Sequence, residues 1–486
     1  LLYTDKISVT PDAFAINYYH GIRDTVDENG KAAVSTEAVS HLPYQGVIMM
    51  LVHAMSEKFG CEPTIEAVTE ARNSRTKTPE ELAQYTRMLY EDENVIGTML
   101  DAEHPMSEPV GDCFPCKVFR LFRYEDVFFS LLKTATSFQE LLDKQLDSVR
   151  QAAVDGFAGL KGHIAEKCGF AVREVSDPEA QQAFIKAQAG DKAAITTVYY
   201  AMFGHLLELC GELDIPVHLH TGTTGFKTRT DVYSLDPILM APFLKNPRYY
   251  KAKIILLHGS FPYTRNAAWM AYNFPNVYLD LSQTQLWQGF LTSSILADAM
   301  SCAPHDKIML GTGQHWYCEM VWLAAKIAKK SLAHILGEMV EQNLISRAQA
   351  EKSARMILSE NAMRLYKTDE PKNVVVIGGG PGGMEAARAC AVEGHKVTLF
   401  EKNQLGGTLN APATAEFKIQ IRKLIEYYRV QLAKLGVEVH EHTELSSDDP
   451  ILASCDWIVV ATGSKPLVPK IPGIDGGNVL GVIDAH

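Results

Sequence analysis

Ile215-Pro-Val-His-Leu-His-Thr-Gly222 is a short apolar run that ends in a histidine and a Thr-Gly turn. Such a run predicts a buried strand that breaks into a loop. The pattern returns at Lys253-Ile-Ile-Leu-Leu-His-Gly259, so His220 and His258 end two successive predicted strands, 38 residues apart. That spacing fits one βα repeat, and a closed parallel barrel gathers such strand ends on its catalytic face.

A pair of histidines on that face has two interpretations. Neutral imidazole is a common ligand of zinc and similar ions, so His220 and His258 are candidates for binding a divalent metal such as zinc, manganese or iron. Each histidine alone is more simply explained as a hydrogen-bonded core residue. His220 rather than His218 is the candidate ligand, because it ends its strand and matches the position of His258.

The alternation of strands and helices extends in both directions from this pair. Strand-like runs near residues 94, 117, 157, 215, 253, 276 and 307 alternate with helical segments such as 237–244, 292–302 and 318–366. This order predicts a parallel sheet with helical crossovers. A (β/α)8 barrel needs eight strands and we count seven, with the deficit at the N-terminus. We therefore predict an α/β fold in which residues 1–366 form a TIM-type barrel that lacks its first strand.

A short polar linker, residues 367–372, precedes a second α/β unit at 373–486. This unit opens with an apolar strand, a glycine-rich turn at 378–383, a helix predicted over 384–393 and a second strand that ends at Glu401. A GxGxxG turn in this context is typical of dinucleotide binding, because its glycines allow a tight turn, close backbone approach and helix packing. The helix N-terminus then faces the pyrophosphate. Glu401 lies where an acid accepts hydrogen bonds from ribose hydroxyls.

Residues 373–486 resemble the first dinucleotide-binding subdomain of flavoprotein pyridine-nucleotide oxidoreductases of the dienoyl-CoA reductase and trimethylamine dehydrogenase type. The likeness is carried by Leu405-Gly-Gly-Thr-Leu-Asn410 and Ala461-Thr-Gly463. It implies a partial Rossmann-like module that binds FAD, with NAD(P)H as a further ligand. The residues implied are Gly378, Gly380, Pro381, Gly382, Gly383 and Glu401 for the ADP part, and Gly406, Gly407, Thr462 and Gly463 for the same cleft. The upstream iron–sulfur cysteine series of that group has no counterpart in this sequence.

Residues 1–366 resemble the amidohydrolase superfamily of metal-dependent hydrolases, in the branch also found fused to glutamine synthetase-like domains. The likeness is carried by His41-Leu-Pro-Tyr44, Gly156-Phe-Ala-Gly-Leu-Lys161, the two histidine strands and Tyr278-Leu-Asp-Leu-Ser282. It implies that His220 and His258 bind a metal that polarises the scissile carbonyl and lowers the pKa of its water. It also implies an aspartate on the last strand that accepts the proton of that water.

Two positions decide whether this chemistry applies. The resemblance expects the aspartate where this chain has Gly313, and glycine can neither bind a metal nor accept a proton. His315 and Glu319 are the candidates to replace it. Lys161 ends the fourth barrel strand, where some members of the superfamily carboxylate a lysine to bridge two metals. A plain lysine that binds an anionic group of the substrate is the alternative.

Composition narrows the partners and the cellular setting. The chain has 486 residues, a net charge of -12 and no basic tract, which argues against nucleic acid and anionic membranes as partners. Nine cysteines, mostly in apolar segments, indicate reduced thiols and a cytoplasmic protein. No uninterrupted apolar run approaches the length of a membrane span. The expected partner is therefore a small-molecule substrate.

The two resemblances together predict a two-module enzyme. An amidohydrolase-like hydrolase barrel would be joined to an FAD/NAD(P)-binding oxidoreductase module. The alternative is a flavin-dependent oxidoreductase whose barrel binds a substrate or a partner without hydrolysing it.

Overall fold

The structure, a computed structural model, divides the chain into two compact units, Leu1–Ala362 and Met363–His486. It describes residues 7–11, 14, 25–26, 32–33, 35–101, 114–222, 231–313, 317–367, 372–392, 394–414, 416–464, 467 and 469–480. The predicted linker at 367–372 falls largely outside these ranges, so its boundaries stay a prediction.

The first unit is built on one sheet of seven parallel strands in chain order. A separate two-residue hairpin precedes it, formed by β1 (Thr25–Val26) and β2 (Ala32–Ala33). The seven strands are β3 (Gly97–Leu100), β4 (Lys117–Arg123), β5 (Gly159–Gly162), β6 (Val217–Leu219), β7 (Ile254–Leu256), β8 (Val277–Asp280) and β9 (Ile308–Met309). All seven strands predicted from the sequence are present, and the curled parallel sheet confirms the TIM-type architecture.

Helices connect these strands and form the outer layer. They are α1 (Thr36–His41), α2 (Gly46–Phe59), α3 (Ile65–Asn73), α4 (Pro79–Asp92), α5 (Tyr124–Thr134), α6 (Phe138–Val154), α7 (Ile164–Lys167), α8 (Asp177–Gln188), α9 (Lys192–Leu213), α10 (Ala241–Leu244), α11 (Thr264–Asn273), α12 (Thr284–Trp287), α13 (Thr292–Met300), α14 (Cys318–Glu341), α15 (Arg347–Arg355) and α16 (Asn361–Tyr366). Short 3₁₀ turns and one π-helical turn, Met356–Glu360, lie between them.

Polar side chains fix where many of these helices begin. Thr78, Ser137, Ser176 and Asp191 each accept a hydrogen bond from the backbone N–H three residues further along, at the starts of α4, α6, α8 and α9. Such N-caps satisfy N–H groups that the helix itself leaves unpaired. The helix boundaries are therefore specified locally, and packing then decides which helix face is buried.

Alternation along the strands separates the inside of the barrel from its outer core. Leu160, Val217 and Leu219 belong to the main apolar core, where the strands meet the surrounding helices. Because strand side chains alternate between faces, Lys161 and His218 point into the barrel. The register pairs Arg123 with Lys161 and Lys161 with His218, which places all three side chains at one level.

Helix α9 is a core helix of this unit. Among the helices that the structure describes, it alone is long and apolar enough to cross a membrane by length and composition. However, 67% of its apolar window is buried inside the fold. Its side chains Tyr199, Phe203 and Leu207 pack in the main apolar core.

The second unit contains a four-stranded parallel sheet with the strand order β12-β11-β10-β13. The strands are β10 (Asn373–Ile377), β11 (Lys396–Phe400), β12 (Glu438–His440) and β13 (Trp457–Val460), and the helices are α17 (Pro381–Val392), α18 (Ile419–Lys434) and α19 (Pro450–Ser454). Strand β13 is an edge of this sheet, and its Trp457, Ile458 and Val460 side chains are exposed. The sheet order and the parallel pairing confirm the Rossmann-like prediction.

Several predicted boundaries were wrong by a few residues. Helix α17 begins at Pro381, three residues before the predicted start, because proline suits the first position of a helix. The segment predicted as one helix over 237–244 is a 3₁₀ turn, Pro237–Met240, followed by the four-residue α10. The last barrel strand, β9, covers only two residues, because the N–H of Leu310 donates to the carbonyl of Ile357 outside the sheet.

Candidate functional site

Charged and imidazole side chains gather at the carboxyl ends of the barrel strands. Parallel strands bring these ends to one face, which is where TIM-type barrels build their sites. The residues are Asp101 after β3, Arg123 on β4, Lys161 and His163 at the end of β5, His220 after β6, His258 after β7, and Asp280 and Ser282 at the end of β8. The sequence prediction placed three of them here, namely Lys161, His220 and His258.

The structure brings His220 and His258 into direct contact. Nε2 of His258 lies 3.2 Å from Nδ1 of His220, and the ring centroids are 4.5 Å apart in an edge-on arrangement. His220 is buried. The two strand-end histidines predicted to form a pair therefore face each other through one nitrogen each.

The outer nitrogens of the pair face oxygen atoms. Nδ1 of His258 is 2.8 Å from the hydroxyl oxygen of Ser282, and Nε2 of His220 is 3.4 Å from a carboxylate oxygen of Glu166. When each outer nitrogen donates its proton to that oxygen, both inner nitrogens present lone pairs. Burial, reinforced by the charges of Lys161 and His163, holds the pKa of His258 well below its usual value, so this imidazole stays neutral.

Two facing lone pairs suit a shared cation. A tetrahedral zinc ion bound at about 2.0–2.1 Å places two nitrogen ligands roughly 3.3 Å apart, close to the spacing of this pair. Oxygen partners on the outer nitrogens are the usual means by which proteins orient metal-binding histidines. Within the described ranges, no group of three or more His, Cys, Asp or Glu residues is arranged to hold an ion. The spacing of the pair is compatible with two ligands of a divalent metal, and metal binding itself stays a prediction.

Lys161 lies in the same face with two charged neighbours that the sequence argument missed. Its Nζ is 3.8 Å from Oδ2 of Asp101, and the other carboxylate oxygen of Asp101 accepts a hydrogen bond of 2.6 Å from Nε of Arg123. Burial alone would raise the pKa of Asp101, but Lys161 and Arg123 bring it below its usual value. Burial lowers the pKa of Lys161. The result is a cation–carboxylate–cation cluster beside the histidines.

A second buried network leads away from His163 into the outer core. Tyr199 donates a hydrogen bond of 2.6 Å to Glu125, and its hydroxyl lies 2.8 Å from that of Tyr124. Nδ1 of His163 lies 3.9 Å from Glu125, and the His163 ring centroid is 5.1 Å from that of His220. Burial raises the pKa of Glu125 to about 7 and lowers that of His163 to about 3. Glu125 therefore favours its protonated form more than an exposed glutamate does.

His218 has a different role from its neighbour two residues on. Its Nδ1 is 2.8 Å from the carbonyl oxygen of Leu160, and burial lowers its pKa to about 4. A buried histidine bonded to a backbone carbonyl needs no metal to satisfy it. The choice of His220 as the candidate ligand of the His218-Leu-His220 segment stays a prediction.

The region expected to supply the missing aspartate is built around glycine. Gly313 has a φ of +66°, and a Cβ there would overlap Cγ of Gln283 and lie 2.9 Å from the Gln283 backbone nitrogen. Glu319 cannot replace the aspartate, because its carboxylate is fully buried 2.7 Å from Nε of Arg72 in the N-terminal helical region. That part of the prediction was wrong. His315, the other candidate, lies outside the described residues.

The glycine-rich turn of the second unit has the geometry that its sequence predicts. A Cβ on Gly383 would overlap the carbonyl oxygen of Gly378, so helix α17 packs against the turn only because position 383 lacks one. Gly378 has a φ of +106°, and its N–H donates to Phe400 on β11. A Cβ on Gly382 would meet nothing within 4 Å, and one on Gly380 would reach only van der Waals contact with Gly407, which leaves the backbone at the start of α17 accessible to a ligand.

Glu401, the predicted ribose-binding acid, lies against this turn. Its carboxylate accepts hydrogen bonds from the N–H of Gly379 at 2.6 Å and of Asn403 at 2.8 Å. A carboxylate accepts about four hydrogen bonds, so acceptor capacity remains for ribose hydroxyls. The acid is therefore fixed at the edge of the glycine-rich turn.

The other predicted cleft residues surround the same turn. The N–H of Gly406 donates to the carbonyl of Gly379 at 2.8 Å, and a Cβ on Gly380 would lie 4.0 Å from Cα of Gly407. Thr462 and Gly463 follow Ala461, whose carbonyl lies against Gly378. Pro381 occupies the first position of α17. All ten predicted cofactor residues thus lie around one turn, and their role in binding stays a prediction.

Family comparisons match two successive parts of the chain to two different families. Residues 149–368 match the amidohydrolase family, and residues 372–485 match the pyridine nucleotide-disulphide oxidoreductase family. The chain joins an amidohydrolase domain to a pyridine nucleotide-disulphide oxidoreductase domain. This confirms the two-module architecture and both resemblances on which it was predicted.

Individual relatives match a minor part of this chain. Cinnamate reductase from Clostridium sporogenes is 40% identical over 117 residues, covering 24% of this chain and 18% of the relative. Protein fluG from Emericella nidulans is 30% identical over 156 residues, covering 32% of this chain and 18% of the relative. The chain thus spans under a fifth of the length of these relatives.

A solved structure supports the fold of the amidohydrolase domain. A Lactobacillus casei protein described as a metal-dependent hydrolase superimposes with a TM-score of 0.63 at 21% identity, covering 76% of this chain and 93% of the other. At that identity the likeness establishes the barrel fold alone.

The residues that sequence reasoning missed share one signal. Asp101, Arg123 and His163 each lie within two residues of a predicted strand end, the position that led to His220 and His258. Glu166 lies three residues after His163, in the short helix α7, where no strand-end position indicates it. A search of every strand end for charged side chains would have found the first three.

Proposed function

We propose that this protein is a two-module enzyme, with a metal-dependent hydrolase site in the barrel and an FAD/NAD(P)-dependent oxidoreductase site in the second module. The observation that carries the hydrolase proposal is the facing pair of inner nitrogens of His220 and His258, 3.2 Å apart. The glycine-rich turn packed against Glu401 supports the second site. A small molecule is the proposed substrate, and the cytoplasm is the proposed location.

In the barrel, His220 and His258 would hold the ion, and Glu166 and Ser282 would fix the orientation of their rings. A bound divalent metal supplies Lewis-acid polarisation of a carbonyl and a water of lowered pKa. Lys161 would bind the substrate. His315, which follows β9 in the sequence, would accept the water's proton in place of the missing aspartate, since Glu319 is paired with Arg72.

In the second module, the start of α17 would bind the pyrophosphate of FAD through backbone N–H groups and the helix dipole. Glu401 would accept hydrogen bonds from the adenosine ribose, and its negative charge disfavours a 2′-phosphate. FAD supplies the redox chemistry when it is bound.

One observation favours a second candidate for the barrel. Gly313 replaces the expected acid, and neighbouring atoms of Gln283 and Ser282 leave no space for a side chain. A barrel of this kind could bind its small molecule without hydrolysing it, as a substrate-binding scaffold for a flavin-dependent oxidoreductase.

Metal analysis of the purified full chain tests the hydrolase proposal. We expect one equivalent of zinc, manganese or iron, which His220→Ala should reduce by at least about tenfold in affinity, as loss of a ligand does. His205→Ala is the matched control, because His205 pairs with Asp177 on the helical layer at 2.8 Å and should leave the metal content unchanged. A metal-free wild-type protein after expression in metal-supplemented medium would rule out the hydrolase.

Flavin content tests the second module separately. We expect the protein to bind FAD and to show flavin absorbance at roughly 450 nm, a property of the cofactor. A colourless protein that binds NADH but cannot be loaded with FAD would contradict the flavin assignment while leaving the dinucleotide fold intact.

A further inference from the structure

Lys161 is a buried cation whose ammonium is poorly satisfied by the protein. Only 4% of its side chain is exposed, and its ion pair with Asp101 is 3.8 Å long, beyond hydrogen-bond distance. Among the described residues, no acceptor lies within hydrogen-bond distance of Nζ. An ammonium group has three N–H donors, and leaving them unmade in a buried site is costly.

The one carboxylate beside Lys161 is already engaged. Asp101 accepts a hydrogen bond of 2.6 Å from Nε of Arg123, so its charge is shared between two cations. Because Arg123 and Lys161 are register partners on adjacent strands, the aspartate lies between their side chains. Asp101 therefore forms a short hydrogen bond with Arg123 and only a long contact with Lys161.

The position of Lys161 connects it to the histidine pair. It points into the barrel from β5, at the level of His218, and His163 follows two residues later with its ring 5.1 Å from that of His220.

We propose that Lys161 is the binding site for a carboxylate group of the barrel's substrate, which is accordingly a small carboxylic acid. This rests on the proposed function, because it places the acid's reacting group towards His220 and His258. The single ammonium group of Lys161, beside Asp101, suits a ligand group with one negative charge, as a carboxylate has. A phosphate dianion would meet repulsion from Asp101 and would find fewer donors than such a group requires.

Matched acids and amides test this directly. Acetate, propionate and benzoate, each against its own amide, are titrated by calorimetry into the metal-free full chain, so that binding to a metal cannot contribute. At least one acid should bind tighter than its amide. Lys161→Met should weaken the binding of that acid by at least about tenfold, the scale of one hydrogen bond to a charged group. The same substitution should leave the affinity for the amide unchanged.

Two further variants make the result specific. Lys167→Met removes an exposed lysine of the same segment and should leave acid binding unchanged. Asp101→Asn removes the competing carboxylate and should tighten acid binding, an effect opposite in sign to that of Lys161→Met. If Lys161→Met does not fold, Asp101→Asn still tests the proposal.

Three results would overturn the proposal. They are equal binding of every acid and its amide, an acid affinity that Lys161→Met does not change, and a carbamate on Lys161 detected by NMR after growth with labelled bicarbonate. Failure of the hydrolase proposal is distinguishable, because it appears as absence of metal while acid binding to Lys161 persists.

Discussion

Gly383→Ala is the sharpest perturbation of the dinucleotide site. A Cβ at this position would overlap the carbonyl oxygen of Gly378 and lie 2.9 Å from its carbonyl carbon and 3.3 Å from Cβ of Ala461. Two carbon atoms pack best at about 3.5–4.0 Å. The start of α17 must therefore retreat by roughly an ångström, because Gly378 is held to β11 by its bond to Phe400.

The magnitude follows from the cost of such overpacking. Forcing an extra methyl group into a packed site costs about 1–3 kcal/mol. If the strain is relieved by moving the helix N-terminus away from the pyrophosphate position, FAD affinity falls by a similar free energy. This corresponds to a loss of roughly 5- to 150-fold in Kd.

The assay is FAD binding to the full chain, followed by flavin fluorescence, with circular dichroism to show that the variant is folded. Gly477→Ala is the control, since a Cβ there would meet nothing within 4 Å and the residue lies outside the predicted cofactor set. It should bind FAD as wild type does. Equal affinities of the Gly383→Ala, Gly477→Ala and wild-type proteins would refute the packing argument.

Three further predictions concern the barrel unit. Burial raises the pKa of Glu125 from 4.5 to about 7, so Glu125 takes up a proton when the protein folds between these pH values. The contribution of Glu125 to the free energy of unfolding therefore falls by about 3 kcal/mol as pH rises from 4.5 to 7. Glu125→Gln should remove that loss, as measured by urea unfolding at pH 5 and pH 8. Glu319→Gln should destabilise the protein by about 3–5 kcal/mol, because it leaves the Arg72 guanidinium charge buried without its partner. Gly313→Asp should lower the melting temperature and give no gain in hydrolysis over wild type, because its φ of +66° and the adjacent Gln283 oppose any side chain.

Each of these has a matched control. Glu140 is a glutamate whose pKa is lowered by its contacts with Lys144 and Thr136, so Glu140→Gln should not reproduce the behaviour of Glu125→Gln. Glu351→Gln breaks an exposed ion pair with Arg347 and should cost under about 1 kcal/mol. Gly337→Ala fills open space within α14 and should be neutral or stabilising. A Glu319→Gln variant as stable as Glu351→Gln would contradict the burial argument.

The barrel could be predicted from the sequence because its signal is local and repeated. Seven apolar runs at βα spacing identify a parallel sheet, and a strand-end histidine can be recognised from two residues of context. The glycine-rich turn could be predicted as well, because the need for each glycine follows from the residues next to it in the sequence. These features need no knowledge of distant contacts.

The charged cluster around Lys161 could not be predicted in the same way. Asp101 lies next to Lys161 only because β3, β4 and β5 are neighbours, and no motif joins the two residues along the chain. The error at Glu319 has the same origin. Its partner Arg72 is 247 residues away in sequence, so a helix that looked available for catalysis was already committed to a buried ion pair.

The exposed edge strand β13 has a practical consequence for handling the protein. Ile458 and Val460 present exposed apolar side chains on one face of β13, and within the described residues no further strand pairs with its outer edge. Edges of this kind act as templates for strand addition between molecules. Concentrated stocks should therefore aggregate first through this edge, and a charged gatekeeper such as Val460→Lys should extend their shelf life without touching either candidate site.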